Sequence, residues 1–185
     1  ARGVENAYAK VKWPTIFAET GIQFMAINTL FQLAAESPER LHRADRLLLV
    51  GDGVNYLLSG VAKAEVSLAS TSQLYNPRAR GWSRRLISAL NLPMKMFPAI
   101  IPSGTPLGPM QREIVQETGL TGVQVLATCS HDTGAAVAGV PAFGQNWAYI
   151  SSGTWSLMGV ELPGPIVTDA CRELNFTNEI GYGGT

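Results

Sequence analysis

Residues 123–140 read VQVLATCSHDTGAAVAGV: an apolar run, a His-Asp pair, then a stretch of small residues. The run VQVLAT predicts a strand and DTGAAVAGV a helix, so His131 and Asp132 fall at a strand-to-helix junction. A carboxylate at that place is stabilised in its ionised form by the first helix amides and the helix dipole. Asp132 therefore reads either as an N-cap or as a base. His131 reads as a hydrogen-bonded edge residue beside it. No second histidine lies near it in the chain, so a metal triad is not expected.

Downstream, WAYISSGTWSLMGVEL at 147–162 predicts a hairpin turning at Gly153. Its SSGTW tip reads either as an ordinary β-turn or as a turn whose amides and Thr154 hydroxyl point at an anion. Upstream, apolar residues recur at helical spacing from Trp13 to about Ala44, with Asn28 and Ser37-Pro38 as helix starts. LLLV at 47–50 reads as a buried strand end, and Asp52 as the cap of a short helix stopped by Gly60. SRRLISALNL predicts a helix closed by Pro93, and MQREIVQETGL a helix ending at Gly119. Between them FPAIIPSGTPLGP, with four prolines, reads as an extended loop at a surface or edge. Helix, strand, helix, then strands is the order of an α/β protein. The expected domain boundary is PAFGQN at 141–146, where small helical residues give way to strands through Pro and Gly.

Composition narrows the class. The chain has 185 residues, is 46% apolar and 15% charged, and carries 14 basic against 14 acidic side chains with no basic block. That supports a sizeable core and argues against nucleic acid as a partner. No apolar run approaches the roughly 20 residues that cross a bilayer, so no membrane is expected. Cys129 and Cys171 have no CxxC partner and read as small core residues of a reduced, cytoplasmic protein. Neither a G-x-x-x-x-G-K-[ST] loop nor GxGxxG is present. The chain starts without Met and its tail, LNFTNEIGYGGT, has no closing element, so a piece cut in mid-domain is expected.

The pairing of SHDTGAAVAGVP at 130–141 with YISSGTWSLMG at 149–159 resembles the FGGY family of carbohydrate kinases. TGIQFMAINTLFQL at 20–33, DGVNYLLSG at 52–60, ASTSQL at 69–74 and FTNE at 176–179 are similar to segments of that family in the same order. The resemblance implies an actin-like ATPase (ribonuclease H-like) fold in part: 1–140 as the C-terminal part of the first domain and 141–185 as the truncated start of the second. It implies Asp132 as general base, His131, Asp132 and Thr133 as sugar contacts, and Gly153 with Thr154 as ATP contacts. It further implies ATP and Mg2+, the metal arriving with the nucleotide rather than in a protein cage. The reaction implied is transfer of the ATP γ-phosphate to the C1 hydroxyl of L-rhamnulose, with L-fuculose or xylulose as alternative ketoses. A non-catalytic actin-like domain that binds sugar or nucleotide is the alternative of another class. ASTSQL reads either as the sugar-side lining or as a helix start with satisfied hydroxyls. The N-terminal phosphate loop and C-terminal adenosine motif of the family lie outside the chain, so this piece alone is not expected to turn over.

Overall fold

The computed structural model describes residues 2–144, 146–153 and 155–184. The chain opens with four helices, α1 (Arg2–Lys10), α2 (Trp13–Thr20), α3 (Thr29–Ala35) and α4 (Pro38–Arg43). Their starts and stops are local. Ser37 accepts the Arg40 N–H to cap α4, Asn28 is the N-cap residue of α3, and Gly21 at φ 69° ends α2 in the left-handed conformation open to glycine. α1 lies directly on α3. A β-carbon on Gly3 would stand 2.0 Å from the Phe31 carbonyl oxygen, so only a glycine permits this approach. Ile16, Leu30, Phe31, Leu74, Leu86 and Ile87 fill the resulting core.

Next come α5 (Val50–Ser59), β1 (Ala64–Glu65), α6 (Val66–Ser70), β2 (Tyr75–Asn76), β3 (Gly81–Trp82) and α7 (Arg84–Ala89). They are followed by a 3-10 turn at Met94–Met96, β4 (Ile100–Ile101), β5 (Thr105–Pro109), α8 (Arg112–Thr118), β6 (Gln124–Ala127) and α9 (Asp132–Ala138). The hairpin β7 (Ala148–Ser152) and β8 (Ser156–Val160), α10 (Asp169–Glu173) and a 3-10 turn at Tyr182–Gly184 complete it. The described strands pair two by two: β1 with β4 in parallel, and β2–β3, β5–β6 and β7–β8 antiparallel. A second apolar cluster, Leu107, Val125 and Ala127 with Leu58 and Val61 against it, sits under β5 and β6.

The expected α5, α7, α8, β6, α9 and β7–β8 hairpin are all found, with Gly60 (φ 75°) and Gly119 (φ 74°) ending α5 and α8. Three expectations are corrected. LLLV is not a strand: the Leu47 N–H donates to Met96 O at 2.6 Å, no strand among the described residues flanks it, and Val50, 86% exposed, begins α5. FPAIIPSGTPLGP is not a loop throughout. It holds β4, which has no proline, and β5, whose Pro106 and Pro109 are tolerated because its pair with β6 is only two strands wide and shifts register between Pro106 and Gly108.

Nor does Asp52 cap α5. Leu49 is the N-cap residue and Asp52 lies within the first turn, 2% exposed, its Oδ1 accepting the Glu65 N–H at 2.9 Å. Its Oδ2 is buried without a hydrogen bond among the described residues. Burial, helped by the nearby Glu65 charge and opposed by the Glu65 N–H, pushes the Asp52 carboxyl from 3.8 up to about 6. A raised acid costs stability once ionised: below 3.8 it is protonated folded and unfolded alike, and the penalty accumulates as pH rises toward about 6. Relative to Asp52→Asn, the natural protein should therefore lose on the order of 3 kcal/mol between about pH 4 and pH 7, read as urea unfolding at each pH. A difference that stays flat across that window contradicts the buried, unpaired Oδ2.

Candidate active site

β1 ends on a buried charge. Glu65 is fully inaccessible, and its carboxylate accepts the Ser67 and Leu68 N–H groups at 3.0 and 3.1 Å, the Ser67 hydroxyl at 2.5 Å, and the Ser130 N–H at 3.2 Å. The Ser103 hydroxyl, from the turn after β4, donates to it as well. Burial alone would raise this carboxyl, but the bonds from Ser103, Ser67 and Leu68 outweigh it and hold Glu65 below the ordinary glutamate value. The Ser67 hydroxyl oxygen then accepts the His131 N–H at 3.2 Å. Glu65 and Ser67 thus grip two successive amides of the turn that leads into α9.

That grip sets the geometry of HDT. His131, not Asp132, is the N-cap residue, with extended φ −77° and ψ 119°, its carbonyl accepting the Ala135 N–H at 2.9 Å. The capping reading of Asp132 is therefore corrected: with the His131 amide anchored on Ser67, Asp132 falls one position later, as the first helical residue. Its side chain is 96% exposed. Oδ1 takes the Thr133 N–H at 2.7 Å and faces the Thr133 hydroxyl at 3.5 Å, while Oδ2 has no hydrogen bond among the described residues.

The His131 ring, 17% exposed, lies between two carboxylates. Nε2 stands 3.5 Å from Asp132 Oδ1, and Nδ1 stands 3.3 Å from Glu179 Oε2 at an ion-pair separation without hydrogen-bond alignment. Burial raises the Glu179 carboxyl, the His131 charge opposes that and the Asp132 charge adds to it. Glu179 reaches the ring because the late segment is stitched to the early one. The Gln23 side chain donates to Arg172 O at 2.9 Å and Phe176 O at 3.1 Å, Asn178 N–H donates to Gly21 O at 2.9 Å, and Ile180 N–H donates to the Ser70 hydroxyl at 3.1 Å. Arg78 adds a bond to Val167 O at 2.7 Å.

ASTSQL is not a helix start, since it forms the end of α6 and the turn after it; its hydroxyls are nonetheless satisfied, those of Ser70, Thr71 and Ser72 donating to carbonyls three residues back at 2.7, 2.9 and 2.6 Å. Cys129 and Cys171 are unpaired and half-buried. At the hairpin, the Gly153 N–H donates to Trp155 O at 2.8 Å, so this amide serves the turn. Space above the Gly153 Cα is open, with nothing within 4 Å of a β-carbon position, and leaves room for a close-lying group. Thr154 lies outside the described residues. α9 packs against β7, and a cavity of about 200 Å3 runs along its small-residue side between Gly134, Ala138, Trp147 and Tyr182. Among the described residues no group of His, Cys, Asp and Glu could hold a metal ion, and no helix is long and apolar enough to cross a membrane.

The N-terminal domain model of the FGGY family of carbohydrate kinases matches residues 1–139, and the chain belongs to that family. It is 40% identical to a rhamnulokinase of Bacteroides thetaiotaomicron over 184 residues, covering 98% of this chain and 38% of that protein. It is 38% identical to the rhamnulokinase of Bacillus subtilis over 170 residues, 92% of this chain and 35% of that protein. In fold it matches the xylulose kinase of Lactobacillus acidophilus with a TM-score of 0.78 at 16% identity, over 90% of this chain and 35% of that one. A carbohydrate kinase of Novosphingobium aromaticivorans matches with a TM-score of 0.72 at 26% identity, over 89% of this chain and 37% of that one. The architecture is thus part of an actin-like ATPase fold, and the chain spans little more than a third of the length of these relatives.

Exchanging Glu65 for Gln puts an amide donor among five donors and should cost about 3 kcal/mol in urea unfolding; Ser103→Ala, which removes one bond, should cost about half as much. A Glu65→Gln protein as stable as the natural one would show that the carboxylate does not hold this turn.

Proposed function

We propose that this chain is the base-bearing part of an ATP-dependent kinase that phosphorylates the C1 hydroxyl of L-rhamnulose. The observation that carries the reading is Asp132: an exposed carboxylate, on a backbone fixed by Glu65 and Ser67, with one oxygen tied to Thr133 and the other open. In the reaction the sugar hydroxyl oxygen bonds to the γ-phosphorus and the bond from phosphorus to the ADP oxygen breaks. The hydroxyl proton passes to Asp132 Oδ2. A carboxylate is a weak base, and that suffices, because in a loose phosphoryl-transfer transition state the hydroxyl proton becomes acidic late. What the protein supplies is aim.

His131 and Thr133 flank Asp132 and are the polar groups placed to contact neighbouring sugar hydroxyls. The open backbone at Gly153, with Thr154 beside it, is where the ATP phosphates would approach. Magnesium would come with the nucleotide and would offset the charge of its phosphates. In this reading 1–140 form the end of the first domain and 141–185 the start of the second, and the protein works in the cytoplasm, where ATP and sugar meet. The choice of L-rhamnulose over L-fuculose or xylulose is supported by the rhamnulokinases at 38 to 40% identity across nearly the whole chain.

In the natural full-length protein, Asp132→Asn should lower kcat by about 10^2- to 10^4-fold with the KM for the ketose changed only a few-fold, measured as sugar-dependent ADP release. Retained turnover rejects Asp132 as the base. A panel of the three ketoses reads the substrate, since hydrogen-bonding pockets discriminate hydroxyl stereochemistry steeply. No sugar-dependent release from the unaltered protein would leave the non-catalytic sensor.

A further inference from the structure

Glu179 has no part in the reading above, yet it is the acidic group nearest the far edge of the His131 ring. We propose that Glu179 is a positioning residue: it fixes the Nδ1 edge of His131 so that the Nε2 edge stays turned to Asp132, and the three side chains act as one unit. The proposal rests on Asp132 as the base and adds the group that orients its neighbour.

Three observations carry it. First, the spacing is continuous: Glu179 Oε2 to His131 Nδ1 is 3.3 Å, and His131 Nε2 to Asp132 Oδ1 is 3.5 Å. Second, His131 Nδ1 is buried and has no hydrogen-bond partner among the described residues, so the Glu179 carboxylate is what meets its charge or its proton. Third, both ends are anchored independently of the ring. Ser67 holds the His131 amide, and Ser70 and Gly21 hold the amides of Ile180 and Asn178 on either side of Glu179.

The proton of a neutral imidazole sits on the nitrogen whose partner accepts it. The negative charge of a carboxylate 3.3 Å from Nδ1 favours the proton on that nitrogen and leaves Nε2 as an acceptor for a sugar hydroxyl, held beside Asp132 without donating to it. Gly134 lies beside this ring: a β-carbon there would stand 3.8 Å from His131 Nδ1, an ordinary contact, and 3.2 Å from Cys129 Sγ, a tight one. The other titratable groups around the pair are the Cys129 thiol and, beyond Glu179, Tyr149 on β7, whose phenol is raised by burial and by the Glu179 and Glu161 charges. Burial raises the Glu179 carboxyl, and the lowering that the His131 charge sets against it is the electrostatic face of the same contact.

The experiment uses the natural full-length protein with 15N-labelled histidine, the His131 ring assigned by its loss in His131→Gln. The unaltered protein should show the Nδ1–H form, Glu179→Gln should keep it, and Glu179→Met, which has no acceptor, should move the ring to the Nε2–H form. In turnover, Glu179→Met should lower kcat about 10- to 100-fold, with the KM for ATP unchanged. Combined with His131→Gln, it should cost no more than His131→Gln alone. A ring signature identical in Glu179→Met, or losses that multiply in the double variant, overturns the proposal. If Glu179→Met does not fold, Glu179→Ala, which also lacks an acceptor, carries the same cycle: a double variant as active as His131→Gln supports coupling, and multiplied losses refute it. Absence of ketose-dependent ADP release from the unaltered protein would reject the kinase reading, while the ring signature would still decide on Glu179.

Discussion

One buried carboxylate organises this chain. Glu65 sits at the end of a two-residue strand and collects donors from α6, from the turn after β4 and from the turn before α9. An isolated buried charge is expensive, and its cost is offset only when every lone pair has a donor. The segments that meet at Glu65 are far apart in sequence, so satisfying it forces the fold to close. The same closure presents Asp132 to solvent on a fixed backbone.

The described strands are short and pair only two by two, so no wide sheet supports the site. Rigidity comes instead from side chains that bond to backbone: Ser67 to His131, Asp52 to Glu65, Gln23 to the 172–176 carbonyls. Apolar packing is concentrated in two clusters, one among the N-terminal helices and α7, the other beneath β5 and β6. The turn carrying His131 and Asp132 belongs to neither, and polar contacts secure it.

What was legible in the sequence was local. Helical spacing, the glycines after α5 and α8, and the alternating hairpin depend on neighbours in the chain, so α5, α8, β6, α9 and β7–β8 could be read directly. LLLV misled because an apolar run becomes a strand only beside another strand, and none flanks it. Asp52 misled because an acid near a helix start usually caps it, whereas here a tertiary donor, the Glu65 N–H, claims the carboxylate. The HDT residues stood out by type, but the one-residue offset of Asp132 follows from the Ser67 anchor on His131, which no spacing rule encodes. Glu65 and Glu179 carried no local signal at all. Glu179 lay in a stretch noticed only as family-like, and its meaning depends on Gln23 and Ser70 drawing that stretch back.

That stitching has a consequence for movement. The polypeptide runs from α9 through the β7–β8 hairpin and is then pinned back to earlier residues by Arg78, Gln23 and Ser70. A hairpin fastened at both feet can tilt but cannot be carried away. Any displacement of Gly153 relative to Asp132 is thus bounded by two tethers, one on either side of the arch.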